Sequence, residues 1–451
     1  MTALIGLDVG TTGCKAVVFD ESGMLLASAS REYLVDLPQP SWAEQDSEAV
    51  WGLALTSIGE AVAAAGVREV AAIGLSVHGE AVTPVDADLR PLRPTILGMD
   101  TRTDEQNAWL REHIGALALF ERTGMPVHTV NTLPKLLWIR EHEPEVWAAA
   151  DRFLLVEDFL IGRMTGQPAI SSCLASRTQL FDLEAGGWSS EILDLLELSP
   201  ERLAEVAPSG TLVGRLSAEL TEQLGLDSPP GVVTGGHDQA CGALGVGLTE
   251  PGLAMVSTGT AEVVEVALGS PVVSTPLYDG NVSVYRSTVP GLFLAMTLNH
   301  SGGLALRWFR DGFCEPQLAR AAESGEDAYD LILQGASDDP SGLLVLPHFA
   351  GAGTPTFDTA SKGAVLGLTF STTRTDLAKA ILEGLTYELR LNLDLLRDGG
   401  VGIDVLRAIG GGARSKLWLQ LKADITGIPV ITPRITEAAA FGAALLAGAG
   451  V

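Results

Sequence analysis

Lysine is scarce in this 451-residue chain: six residues, within 29 Lys and Arg set against 56 Asp and Glu, for a formal charge of −27. So acidic a chain repels nucleic-acid phosphates and anionic membranes, and neither is expected as a partner. A local phosphate site stays open, because a few backbone N–H groups can hold an anion against the global field. Cysteine is sparse too. Cys14, Cys173, Cys241 and Cys314 form no C-x-x-C pair, which argues against a disulfide framework or a zinc site and for buried thiols in a reducing compartment. No uninterrupted apolar run reaches the ~18 residues a membrane span requires, and the small residues of Ala438–Val451 read as a buried helix. The opening residues lack a basic leader region and read as a first strand, so a cytoplasmic chain is expected. The Walker pattern G-x-x-x-x-G-K-[ST] is absent as well.

What is present suits a large α/β protein. The length and the 46% hydrophobic content allow two or three cores. Leu4–Asp8, Ala16–Phe19 and Leu25–Ser30 read as three strands joined by tight turns, an antiparallel meander. A helix over Ser47–Ala65, with Ser47 as N-cap, then leads to a buried strand at Val70–Leu75. The second half repeats this plan with strands at Leu253–Ser257 and Glu262–Ala267, a helix at Thr375–Arg397 and a strand at Val405–Ile409. Asp8-Val9-Gly10-Thr11 aligns with Ser257-Thr258-Gly259-Thr260, and Val70–Gly74 with Leu406–Gly410, in the same order. A duplicated α/β domain accounts for this order, with a divide at residues 244 and 245.

Four loops carry candidate chemistry. Asp8 through Lys15 places Gly10, Thr11 and Thr12 in a hairpin whose N–H groups and hydroxyls can face phosphate oxygens, with a carboxylate able to hold Mg²⁺. An ordinary turn would have the same sequence, but the matching Gly259-Thr260 turn favours a two-sided clamp. Asp238, in Gly235-Gly236-His237-Asp238-Gln239, falls at a strand-to-helix junction, where it serves either as a general base or as a helix N-cap. Gly74-Leu75-Ser76-Val77-His78 fails the G-x-S-x-G elbow at its last position, which argues against a hydrolase. His78 and Glu80 instead suit polyol hydroxyls. Gly410-Gly411-Gly412-Ala413 follows a strand and admits a flat ring close to the backbone.

In this order the loops resemble those of the FGGY carbohydrate kinases, whose fold belongs to the actin-like (ribonuclease H-like) ATPases. Gly363-Ala364-Val365-Leu366-Gly367-Leu368 followed by Asp376–Glu383 matches one family signature. Lys135–His142 matches the other, apart from Val130. The resemblance implies two duplicated domains around a cleft, residues 1–244 holding sugar and 245–451 holding nucleotide, with ATP and Mg²⁺ as cofactors and a homodimer compatible with the fold. It assigns Asp8 to the metal, Gly10, Thr11, Thr12 and Lys15 to the first phosphate loop, and Gly259 and Thr260 to the second. Gly303, Arg307, Gly411, Gly412 and Ala413 fall to the nucleotide. Asp238 falls to the base, and Val77, His78, Glu80, Asp100, Arg102 and Gln239 to the sugar. Gly98 and Met99 stand where xylulokinases have Trp and Asn, and His237 stands where they have a small residue. The expected activity is phosphorylation of a small sugar, a ketose such as xylulose first, with other ketoses, sugar acids and polyols as alternatives. A non-catalytic sensor of the same fold is the alternative of a different class.

Overall fold

The computed structural model describes residues 2–451. β1 (Ala3–Val9) is buried because Ala3, Ile5, Leu7 and Val9 fill one face while Gly6 allows close covering on the other. β2 (Gly13–Asp20) and β3 (Leu25–Glu32) follow it antiparallel, and β4 (Val70–Val77) returns parallel to β1, with β5 (Gly231–Val233) parallel beside it. The spatial order is therefore 3-2-1-4-5, extended by an antiparallel edge strand, Leu212–Arg215.

The second sheet has the same order. β6 (Leu253–Thr258), β7 (Glu262–Leu268) and β8 (Phe293–Asn299) form the meander; β9 (Val405–Ile409) lies parallel to β6 and β10 (Val430–Ile431) parallel to β9. In the first sheet Asp8 pairs with Ser76, and in the second Ser257 pairs with Ile409, so the two phosphate-loop candidates leave their sheets at equivalent points. The duplication read from two short sequence matches is a duplication of topology.

Helices cover both sheets. α1 (Ser47–Ala65) packs on β2 and β3. Its N-cap is Asp46, whose carboxylate accepts from the Glu48 and Ala49 amides, and not Ser47. Ser47 is the first helical residue, and its buried hydroxyl lies 2.7 Å from that of Thr95. Adjacent Asp and Ser are both good caps, and the partner buried beside Ser47 decides between them. α2 (Asp238–Gly245) lies between the halves of the chain, α3 (Gly303–Phe313), α4 (Arg374–Asp398) and α5 (Lys416–Thr426) belong to the second, and α6 (Ala438–Ala449) ends it.

Although α6 comes last, it packs against β1 and β4 of the first sheet. Glycines make this possible: a Cβ at Gly6 would overlap the Ala440 carbonyl, and one at Gly74 the Ala443 carbonyl. Backbone then meets backbone, which explains why the helix consists of Ala and Gly. Among the described residues no helix is long and apolar enough to cross a membrane. All four cysteines are unpaired and buried.

Candidate active site

β1 and β4 end side by side, held by a bond from the His78 amide to the Val9 carbonyl (2.9 Å). Beyond them the turn at Gly10 closes through Gly10 N to Gly13 O at 2.9 Å. Tyr33 donates its hydroxyl to the Gly10 carbonyl and Gln45 its amide to that of Thr11, so both carbonyls are tied back. Thr12 stays exposed at the tip. Asp8, at the root of the turn, accepts from Ser76 Oγ at 2.7 Å. Burial pushes its carboxyl upward in pKa, against the opposing pull of Ser76 and Lys15. Lys15, opposite Asp8 in the register, forms an ion pair with Glu437 at 2.9 Å.

The second turn is built in the same way, on a charged base. Gly303 N donates to the Gly259 carbonyl at 2.7 Å and Gly302 N to that of Thr260 at 2.9 Å, so α3 begins against this turn. A Cβ at Gly410 would meet the Thr258 backbone, and one at Gly412 the Thr258 side chain. Gly259, Thr260, Gly303 and Gly410–Gly412 therefore converge around one strand end, with Gly259, Thr260 and Gly411 exposed and Ala413 half-buried. Arg307 is exposed one turn along α3. Beneath them Lys422 Nζ reaches Thr258 Oγ1 at 2.7 Å and Glu262 Oε2 at 2.5 Å, both acidic and basic side chains being only 2% exposed.

Between the halves lies Asp238. His237, not Asp238, occupies the N-cap position of α2, and it makes no side-chain cap bond. Asp238 is the first helical residue, so its carboxylate is free for other work, and Gln239 follows it half-buried. Burial, then the charge of Asp8, pushes its carboxyl up to about 7. The positive end of α2 works in the opposite direction, favouring the anion. His237 Nε2 lies 3.3 Å from Asp238 Oδ1. The His237 ring lies against Gly79, where a Cβ would collide with it. Burial holds both nearby imidazoles neutral, His78 down to about 4 and His237 well below its usual range.

Around Asp238 the side chains are committed unequally. Glu80, in the left-handed region at φ 61°, receives Arg177 Nε at 2.6 Å and Nη2 at 2.5 Å, both on Oε1. Arg177 stacks over Tyr285 at 4.5 Å, and Tyr285 donates to Glu265 at 2.6 Å. Gly98 faces Glu80 Oε2 and Val130. Val77, Asp100 and Arg102 do not reach this space. Val77 is fully buried in β4. Both Asp100 oxygens are taken by Arg102, and one also accepts the Ala43 amide at 2.6 Å. The Arg102 guanidinium lies 3.7 Å from the Trp42 ring and 4.7 Å from the Trp138 ring, which meet edge to face. These residues support the wall from behind. A recess of about 450 Å³ bounded by Leu37–Ala43 and Met99 opens nearby, but it contains none of Asp8, Glu80 or Asp238.

Two family models divide the chain between them: the N-terminal domain of the FGGY family of carbohydrate kinases matches residues 3–245 and its C-terminal domain residues 254–451. The chain belongs to the FGGY family of carbohydrate kinases. This FGGY kinase is 30% identical to a xylulose kinase of Staphylococcus xylosus, over all of this chain and 91% of that one. It is 33% identical to a glycerol kinase of Bordetella parapertussis, over 99% and 88% of the two chains. A solved xylulose kinase of Brucella ovis superposes with a TM-score of 0.89 at 31% identity, covering 99% of this chain and 90% of that one. The chain is thus a sugar kinase with two duplicated actin-like domains.

Sequence reasoning missed Ser76, Glu437, Arg177 and the Lys422–Glu262 pair. Ser76 could have been found, since it lies two residues before His78 in a strand whose register follows from the β1–β4 pairing. The others are joined across 97 to 422 residues of chain, and no local signal marks such contacts.

Proposed function

We propose that this FGGY kinase transfers the γ-phosphoryl group of ATP to a hydroxyl of a small neutral sugar, a ketose such as xylulose first, with Asp238 as general base. The observation that carries the reading is Asp238 itself: freed from capping, with 29% of its side chain reaching solvent, and with its carboxyl pushed up to about 7, where a base both exists and accepts a proton at working pH. The acceptor hydroxyl would give its proton to Asp238 as its oxygen attacks the γ-phosphorus in line. The P–O bond to ADP breaks, and the proton stays on the carboxyl until solvent takes it.

The turns at Gly10–Gly13 and Gly259–Ala261 would offer amides and hydroxyls to the phosphate chain, and Gly411–Ala413 would receive the adenosine. Asp8 fits Mg²⁺: it is a hard carboxylate with one oxygen on Ser76 and the other free. Among the described residues no group of three or more His, Cys, Asp or Glu side chains could hold a metal alone, as suits an ion that takes its other ligands from phosphates and water. When bound, Mg²⁺ would neutralise charge on the transferred phosphoryl oxygens.

Neutral substrates are favoured over sugar acids by the acceptor wall. The cation that could bind a carboxylate there, Arg177, is already neutralised by Glu80, and the free Glu80 oxygen would repel one. His78, His237, Glu80 and Gln239 instead suit hydroxyls, which both donate and accept. The test is ADP formation with xylulose, glycerol and gluconate. Substrate-dependent ADP with a neutral sugar and little with gluconate is expected. Turnover with gluconate alone would reverse the assignment, and ADP release indifferent to any sugar would remove the kinase reading.

A further inference from the structure

Glu80 is fixed by three residues from outside its own loop. Its backbone lies in the left-handed region at φ 61°, which a residue other than Gly adopts only where its surroundings hold it there. Thr132 Oγ1 and the Nζ of the fully buried Lys135 each donate to the Glu80 carbonyl at 3.1 Å. Arg177 fixes the side chain: its Nε and Nη2 both meet Oε1, and Oε2 is left free. A guanidinium pairing for charge alone commonly puts one N–H on each carboxylate oxygen. Here both fall on the same oxygen, and the other faces the gap at Gly98, where a Cβ would stand 3.8 Å from it.

Arg177 is in turn seated on the second half of the chain. Its guanidinium lies 4.5 Å over the Tyr285 ring, with Nη1 3.7 Å from the Met296 sulfur. Tyr285 stands on the strand Ser283–Arg286, which pairs antiparallel with β8, the strand of Met296. The Tyr285 hydroxyl is tied to Glu265 of β7 at 2.6 Å. The residues flanking Tyr285 are joined to the first half as well: the Arg286 amide donates to Ser176 Oγ at 3.0 Å and the Val284 amide to the Gly124 carbonyl at 2.7 Å. A flat guanidinium can stack on a ring while two of its N–H groups point to one side, which a lysine ammonium cannot do. On the reading of Glu80 as a sugar ligand, we propose that Arg177 is a positioning residue through which the second half sets the acceptor wall. Tyr285 seats Arg177, and Arg177 turns the free oxygen of Glu80 toward an acceptor hydroxyl. Sugar affinity then depends on a ring that is itself fully buried.

Xylulose-dependent ADP formation by the full chain, with KM and kcat separated, tests this, and nucleotide binding shows that each variant is folded. Glu80→Gln is the reference and should raise the sugar KM about tenfold or more, the worth of a hydrogen bond to a charged group. Arg177→Lys and Tyr285→Leu should raise it by a similar factor while kcat and the nucleotide KM stay near the parent's, as when binding common to ground and transition states is lost. Combining the two should add little, because both act at one seat. Tyr285→Phe keeps the ring and loses only the bond to Glu265. It should lower the melting temperature and leave the sugar KM at the parent's value, whereas a purely structural role would move melting in every variant and KM in none. A sugar KM unchanged in Arg177→Lys and Tyr285→Leu, with that of Glu80→Gln raised, overturns the proposal and leaves Glu80 as a ligand. Equal KM rises in Tyr285→Phe and Tyr285→Leu overturn it too, since the ring would not then be the seat. An unchanged KM in Glu80→Gln removes the ligand reading itself, and the proposal with it.

Discussion

Lys422 underpins the Gly259–Ala261 turn, proposed as the second phosphate loop, from within a site where only 2% of its side chain reaches solvent. It is the cation 2.5 Å from Glu262 Oε2, and it also binds Thr258 Oγ1, on the strand end from which Gly259 and Thr260 project. Lys422→Met keeps most of the side-chain volume and removes the charge. Glu262 then remains buried without a counter-charge, and breaking one partner of such a pair costs about 3–5 kcal/mol. Glu262 Oε1 has no other partner to share the burden. Urea unfolding followed by tryptophan fluorescence measures the loss, and the denaturation midpoint should fall with an unchanged slope. Adding Glu262→Gln to Lys422→Met should recover part of the loss, because the orphaned charge goes with it. The same single variant should weaken nucleotide binding, since the turn it supports loses its anchor. A cost below about 1 kcal/mol, or a double variant no more stable than Lys422→Met alone, would show that the pair contributes no more than a surface ion pair and refute the reasoning.

The acid limb of kcat/KM should bend near pH 7, tenfold per unit below it, because burial and the charge of Asp8 push the Asp238 carboxyl up to about 7; a limb near the ordinary Asp value would mean that Asp8 and burial do not act on it. Gly6→Ala and Gly74→Ala should each destabilise strongly, by about 1–3 kcal/mol or more from overpacking, since the added methyl meets the α6 backbone; thermal melting checks both, and unchanged melting would deny the contact. Glu157, which binds the Gly235 and Ser171 amides beneath the base loop, has its carboxyl raised to about 7 by burial. Glu265 is raised likewise to about 8. Above about pH 6.5, where the unfolded chain's histidines are neutral as well, the folded state holds carboxyl protons that the unfolded state has lost, and stability falls as pH rises toward 8. Melting of the ligand-free protein over that range should show the decline, with a shallower slope in Glu157→Gln; a rise in melting temperature would contradict the sign.

Much of the fold was readable because its signals are local. β9 begins and ends where it was read, β1 and β3 needed lengthening by only a residue or two, and β2 by three residues at its start and one at its end. The 3-2-1-4-5 order was not read from the sequence; the repeat implied only that Asp8 and Ser257 take equivalent places in two sheets. Ambiguity arose where two residues compete for one local role. Asp46 and Ser47 both cap well, and Asp238 and His237 both stand at the start of α2; tertiary partners decide each case. The acceptor wall was the least readable part. Asp100 and Arg102 have the residue types of a sugar site, yet Trp42, Trp138 and the Ala43 amide enclose them as a buried pair. Arg177, which sets the charge of that wall, sits 97 residues from Glu80.

The central claim, that Asp238 takes the proton from a sugar hydroxyl, is tested most directly by xylulose-dependent ADP formation in Asp238→Asn beside nucleotide affinity in the same variant. Loss of a general base predicts a fall of about 10²–10⁴ in kcat, with nucleotide binding within twofold of the parent, since Asp238 lies outside both phosphate turns. Turnover close to the parent's in Asp238→Asn, with the variant folded and binding nucleotide, would contradict it.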